Sequence, residues 1–299
     1  MRSTLLAAVV LLSLAGAANA QQVADPNADL SVARPAYAAG TGPRVAVDAA
    51  HDNFHTVDGR YAPFAQILRN DGYRVGSLAT PLSAEALASV DVLVIANAQG
   101  EDASPLTSAP AFTPAEAAAL RGWVEGGGSL LLIADHAPFP SAIAPLAQAF
   151  GVRWDNVYAV NPSGGGPDLF TAATGLGVSP VAAGSGGGVP VTQVRTFTGS
   201  AFTPPPDAIP LLTLGNGWVL MTPGPSGQSD ATLASGAGRL QGALLPVGRG
   251  RVALMGEAAM FSAQLGGPER RPMGLNAPGA EQNKTFLLNL MRWLRPTPR

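Results

Sequence analysis

The sequence predicts an α/β fold: a mainly parallel, doubly wound sheet of the flavodoxin-like kind, with antiparallel additions at one edge. Three observations carry that expectation. Short apolar runs alternate with segments of helical periodicity from residue 44 to residue 150, and this order builds parallel sheets with right-handed crossovers. Two of the runs, Val90–Ala96 and Ser129–Ala134, are apolar almost throughout, as expected of strands covered on both faces. After residue 190 the apolar segments are short and of strand type, which suits antiparallel pairing better than further crossovers.

The first twenty residues read as a secretory signal peptide. Arg2 supplies a positive charge, Leu5–Leu14 is an apolar stretch too short to span a bilayer, and Ala18-Asn19-Ala20 is a small-x-small cleavage site. Cleavage near Ala20/Gln21 delivers a periplasmic or secreted chain. Residues 21–42 lack periodicity and read as a leader or linker. A single domain is expected over 43–296. No second long apolar segment follows, so no membrane span is expected in the mature chain. The chain has no cysteine, which excludes disulfides, a lipoprotein anchor and cysteine catalysis. A net charge of −2 without a basic cluster argues against nucleic acid as a partner.

The elements follow in order. Arg44–Asp48 is the first strand, and Tyr61–Asn70 a helix with Phe64, Ile67 and Leu68 at helical spacing. Strands are expected over 73–79 and 90–96. Thr113-Pro114-Ala115-Glu116 is a capping box with proline at the first helical position. Its helix stops at Gly126-Gly127-Gly128 and leads into the strand 129–134, after which Ala142–Phe150 reads as another helix. Asn161–Pro190 is rich in Gly, Ser, Pro and Thr and reads as a long loop, either functional or a tolerated surface insertion. Val191–Phe197, Ile209–Leu214, Trp218–Met221 and Leu240–Pro246 are the expected edge additions. Arg251–Met255 is a late core strand, and Asn283–Leu294 a closing amphipathic helix.

This organisation resembles the class I glutamine amidotransferase-like superfamily, and within it the domain-of-unknown-function 4350 group. The resemblance rests on Arg44–Asp48, Asp91–Asn97, the capped helix running into Gly126-Gly127-Gly128-Ser129 and on to Asp135, Gly248–Glu257, and Asn283–Leu294. It implies a nucleophile on the tight turn after the fourth-type strand. Here that turn reads Asp135-His136-Ala137-Pro138-Phe139, with neither cysteine nor a G-x-S-x-G elbow.

The three histidines, His51, His55 and His136, each follow an expected parallel strand. Asp48, Asp135 and Glu257 end or follow strands on the same edge, where ligands of open α/β sheets bind. Three readings stand side by side. Imidazole and carboxylate together suit zinc or another divalent metal, with His51, His55 and His136 as candidate ligands, although the site does not require one. A histidine oriented by Asp135 or Glu257 suits general-base chemistry without metal. The aspartates could instead cap local turns, and Glu257 could open a helix. Function divides likewise: a non-cysteine, hydrolase-like enzyme using His136, His51, Asp135, Glu257 and Asp48, or a non-catalytic domain binding a small ligand such as a sugar. Convergence of His51, His136 and Glu257 would favour the enzyme.

Overall fold

A computed structural model of the chain describes residues 22–104, 106–162 and 168–295. The expected signal peptide, Gln21 and part of the glycine-rich stretch, 163–167, lie outside the described residues. Nine strands form the main sheet. In chain order they are β1 (Arg44–Asp48), β2 (Arg74–Leu78), β3 (Val92–Ala96), β4 (Ser129–Ile133), β5 (Arg153–Asp155), β6 (Ala201–Thr203), β7 (Ile209–Thr213), β8 (Leu240–Val247) and β9 (Gly250–Met255). The sheet runs β2-β1-β3-β4-β9-β8-β6-β5, and β7 also pairs with β8. From β2 to β9 the pairing is parallel. From β9 outward it is antiparallel. The parallel strands are those the apolar runs predict, with ends displaced by at most two residues.

Side chains alternate across the sheet, and each face has its own core. Val45, Val47, Val92, Val94, Leu131 and Ile133 point to one side. There they meet Phe64, Ile67 and Leu68 of α1 (Ala62–Asn70) and, from the chain's end, Phe286 and Leu290. Ala46, Leu93, Ile95, Leu130 and Leu132 point to the other side. That face is covered by Leu87 of α2 (Ala84–Ala88) and by Leu120 and Val124 of α3 (Pro114–Glu125). Full burial of each such Leu, Ile or Phe contributes about 1.5–3 kcal/mol. Thr113 caps α3: its hydroxyl accepts from the Glu116 N–H at 3.2 Å, and the Glu116 carboxylate accepts from the Thr113 N–H at 3.0 Å.

Several expectations are corrected. The helix expected over 142–150 is two short helices, α4 (Phe139–Ala142) and α5 (Ala144–Ala149). Only some of the late strands join the main sheet. Gln193–Thr196 pairs instead with Asp168–Thr171, and Val219–Gly224 pairs with Gly227–Ser235 and Tyr158–Val160. A short alternating segment signals a half-buried strand but not its partner. The closing helix α6 (Asn283–Trp293) lies where it is expected. Its buried Asn289 donates to the Val181 and Val189 carbonyls, tying the chain after Leu176 onto the core.

Residues 22–42 contain little regular structure but are pinned at several points. Val23–Ala24 pairs with Ala263–Gly266. Lys284 Nζ lies 3.0 Å from the Asp29 carboxylate and from the Ser31 carbonyl. The Asp71 carboxylate accepts from the Ala36 N–H at 2.8 Å.

Candidate functional site

Strand order reverses beside β1, which lies between β2 and β3. In open α/β sheets this is where a crevice forms outside the carboxyl ends of the strands. The loops after β1, β3, β4 and β9 contribute to a cavity of about 390 Å³ whose walls include His55, Asn97, Asp135, His136 and Glu257. The volume suits a small molecule, for which sites run from roughly 300 to 1,000 Å³. Four more rings, Phe54, Phe139, Tyr158 and Phe197, also line the cavity.

The six expected site residues fall into two groups. Asp48 and His51 do not line this cavity. His51 is 8 % exposed and held between two carboxylates. Its Nδ1 lies 2.9 Å from Asp48 Oδ2, and its Nε2 lies 2.9 Å from Glu116 Oε1. Its ring packs on Phe112 at 4.0 Å. Asn53 donates to Asp48 and accepts the Ala96 N–H at 3.1 Å. Glu116 also accepts the Leu82 N–H at 3.0 Å. This bridge ties the loop after β1 to the start of α3. Burial works against the charged ring of His51, but hydrogen bonds and charge from Asp48 and then Glu116 outweigh it and raise its pKa. For Glu116, burial is likewise outweighed, by bonds from Thr113, His51 and Leu82, and its pKa falls.

The second group does share the cavity. Glu257 is fully buried; its two carboxylate oxygens accept the Ala259 and Met260 N–H groups at 2.8 Å each. Asp135 accepts the His136 N–H at 2.8 Å and the Ala258 N–H at 3.4 Å. Burial, and then the charge of Asp135, hold the Glu257 carboxyl well above its ordinary range. Burial raises Asp135 as well, against the opposing influence of His136. His136 Nδ1 lies 2.7 Å from the Ala137 carbonyl, so that nitrogen carries the proton, and the ring stacks on Tyr158 at 4.3 Å. Burial, followed by the Asp135 charge, pushes the Tyr158 phenol up to about 12. His55 stacks on Tyr61 at 4.6 Å. Burial, then the Arg60 charge, lowers His55 to about 3, so its ring is neutral at physiological pH.

Backbone geometry around the cavity is unusual. Asn97 has φ 59° and Thr198 has φ 86°, both left-handed, and both line the cavity. Asn tolerates that region, whereas a β-branched threonine there is an outlier of the kind that clusters at functional sites. Gly199 is required beside it: at φ 112° it packs so closely on the Gly256 carbonyl and the Gln241 side chain that a Cβ would collide.

Asp135 and Glu257 also use their oxygens to accept local backbone N–H groups, in keeping with the turn-capping alternative. The zinc reading lacks a ligand set. Both ring nitrogens of His51 are taken by carboxylates, and no group of three or more His, Asp or Glu suited to a metal occurs among the described residues. Sequence reasoning placed Glu116 only in a capping box and passed over Asn53 and Asn97 as site residues. Asn97 accepts the Asp135 N–H at 2.9 Å and so sets the direction of that loop. Its one sequence signal is its place directly after β3.

The carboxyl pair gives stability a defined pH dependence. Asp135 and Glu257 titrate higher folded than unfolded, so the folded state keeps protons that the unfolded chain releases. Their favourable contribution is present at low pH and is lost as pH rises through the folded values. Tm is expected to fall as pH rises above the ordinary carboxyl values of 3.8 and 4.5, and Asp135→Asn to flatten that slope. An unchanged slope in the variant, measured by calorimetry at constant ionic strength, would contradict the assignment.

No protein-family model matches the sequence, and no curated protein does. Solved structures do match. The N-terminal domain of mmIFT52 is 17 % identical with TM-score 0.60, covering 85 % of this chain and 99 % of that one. The cytoplasmic protein STM1381 from Salmonella typhimurium LT2 is 15 % identical with TM-score 0.51, covering 84 % of this chain and 99 % of that one. A ThuA-like protein from Bacteroides uniformis is 14 % identical with TM-score 0.45, covering 86 % of this chain and 93 % of that one. Identities this low speak to the fold alone, a mixed α/β architecture with a large, mostly parallel sheet. No helix among the described residues is long and apolar enough to cross a membrane.

Proposed function

We propose that this chain is an exported, amidotransferase-like protein of the domain-of-unknown-function 4350 group that binds a small polyhydroxylated ligand, such as a sugar. One observation carries the reading. The cavity at the carboxyl ends of the strands combines buried carboxyls, Asp135 and Glu257, with the rings of Phe54, Phe139, Tyr158 and Phe197. Rings offer flat apolar faces to C–H groups, and fixed polar groups orient hydroxyls. Export rests on the signal-peptide pattern of residues 1–20. N-terminal sequencing of the exported chain is expected to begin at Gln21; an intact Met1 would refute that part.

Binding is favoured over catalysis because His51, which the enzymatic reading needs beside His136 and Glu257, is committed to Asp48 and Glu116. A hydrolase-like role, with His136 as general base toward water, retains one point of support: two carboxyls with raised pKa share its cavity, and perturbed acids cluster at catalytic sites. The purified mature chain should be titrated calorimetrically with a set of mono- and disaccharides, and the mixtures assayed for hydrolysis products. Saturable binding without turnover is the expected result. Turnover would replace the binding reading with the hydrolytic one. Neither binding nor turnover would sink both.

A further inference from the structure

The cavity brings two carboxyls together with no permanent positive charge in its wall. Glu257 is fully buried, Asp135 is 8 % exposed, and no Lys or Arg is among the residues that line the space with them. No ion pair within 4.0 Å to Lys or Arg joins either carboxyl to another described residue. Each is satisfied instead by backbone N–H groups, and a carboxylate oxygen that accepts one hydrogen bond keeps a second acceptor position. Asp168 adds a third carboxyl that acts on Glu257 electrostatically. The basic group acting on the same cluster, Arg195, donates to the Pro278 carbonyl and sits over the Phe197 ring at 4.5 Å, outside the cavity wall. Tyr61, next to the cluster, is an uncharged phenol whose hydroxyl donates to the Ala258 carbonyl at 2.8 Å.

An independent feature points to a bound partner. His55 lines the same cavity and is 2 % exposed, yet its Nδ1 has no hydrogen-bond partner. A buried polar atom left unpaired costs about 1–3 kcal/mol, so a site with such an atom is incomplete as it stands. The rings of the wall add attraction for positive charge, since a cation over an aromatic face is stabilised by about 0.5–2 kcal/mol. Two of these rings already carry a cation: Arg60 lies 3.7 Å above Phe54, and Arg195 lies over Phe197.

From this charge balance we propose that the ligand carries a protonated amine on its polyhydroxylated frame, as an amino sugar does, and that Asp135 with Glu257 is its recognition element. The inference rests on the binding reading of the cavity. An anionic ligand would meet two acids and no Lys or Arg in the wall. A neutral sugar would supply no charge to draw the two carboxyls out of the protonated form that burial favours. An ammonium group supplies N–H donors and a positive charge that favours the ionised carboxylates, which burial and the mutual repulsion of Asp135 and Glu257 otherwise oppose.

The test uses the mature chain and three probes of one frame: D-glucosamine, N-acetyl-D-glucosamine and D-glucose. By calorimetry at neutral pH, D-glucosamine is expected to bind at least about tenfold more tightly than either neutral probe, a 1.4 kcal/mol preference. Asp135→Asn, which removes charge but keeps the shape and the strong bond to the His136 N–H, should shrink that preference to below about threefold. Glu257→Gln, checked for folding by circular dichroism, should do the same and keeps the proposal testable if Asp135→Asn misfolds. Equal or tighter binding of the neutral probes overturns the amine inference while leaving the binding reading intact. A preference that survives in both variants overturns the assignment to these carboxyls. Binding of none of the probes overturns the binding reading and this inference with it.

Discussion

Glu116→Ala is expected to destabilise the protein by about 3–5 kcal/mol, the range found when one partner of a buried ion pair is removed. The reason lies in how many groups that one carboxylate satisfies. Its oxygens accept from His51 Nε2, the Leu82 N–H, the Thr113 N–H and the Thr113 hydroxyl. Truncation leaves His51 with its charge shared by Asp48 alone and removes half of the capping box of α3, itself worth about 0.5–2 kcal/mol. Urea unfolding should show a lower midpoint at unchanged slope, and Tm should fall by on the order of 10 °C. The contribution has a pH window. His51 titrates above its ordinary value of 6.5, so its share is complete below that value and fades as pH rises through the folded one. Glu116 titrates below its ordinary value of 4.5, so its share is complete above that value and fades as pH falls through the folded one. The bridge is therefore strongest between those two ordinary values. A double-mutant cycle with His51→Ala should give a coupling energy above about 1 kcal/mol. Additive losses would show that the two side chains stabilise the protein independently.

His136→Ala is expected to reduce ligand binding by about 30-fold, or roughly 2 kcal/mol, as truncation of a buried aromatic anchor does. Its ring lines the cavity and stacks on Tyr158 at 4.3 Å. Stability should change by no more than about 1 kcal/mol, since the residue is half-buried in a loop and the change removes one stacked pair. Tyr158→Phe keeps the stacked ring and should bind within about threefold of the parent. A His136→Ala variant that binds as the parent does would show that the ligand site lies elsewhere. Together with Glu116→Ala it separates the two clusters: one variant lowers stability, the other lowers binding.

Much of the fold was legible because it depends on local pattern. The apolar runs 44–48, 90–96 and 129–134 could be buried on both faces only in a covered sheet, and β1, β3 and β4 lie inside its edges. The Thr113–Glu116 capping box is a local device and forms as expected. The pairing of the late strands was not legible. Val219–Gly224 carries the same alternation wherever it pairs, and its neighbours were set by what remained uncovered after the core had assembled.

The site divides in the same way. By itself the sequence determined that imidazoles and carboxyls would stand just past the ends of parallel strands, because the strand direction and the chain order place them there, and that no cysteine could act among them. Only the tertiary structure decided which of them meet. His51 and His55 are four residues apart, yet one turns toward Asp48 and Glu116 while the other lines the cavity with Asp135, His136 and Glu257. His51 is held by a group far away in the chain, Glu116 at the start of α3, and His55 by Tyr61 just before α1. A loop side chain settles where its hydrogen bonds and its ring find partners, and those partners come from elements that a local reading does not bring together.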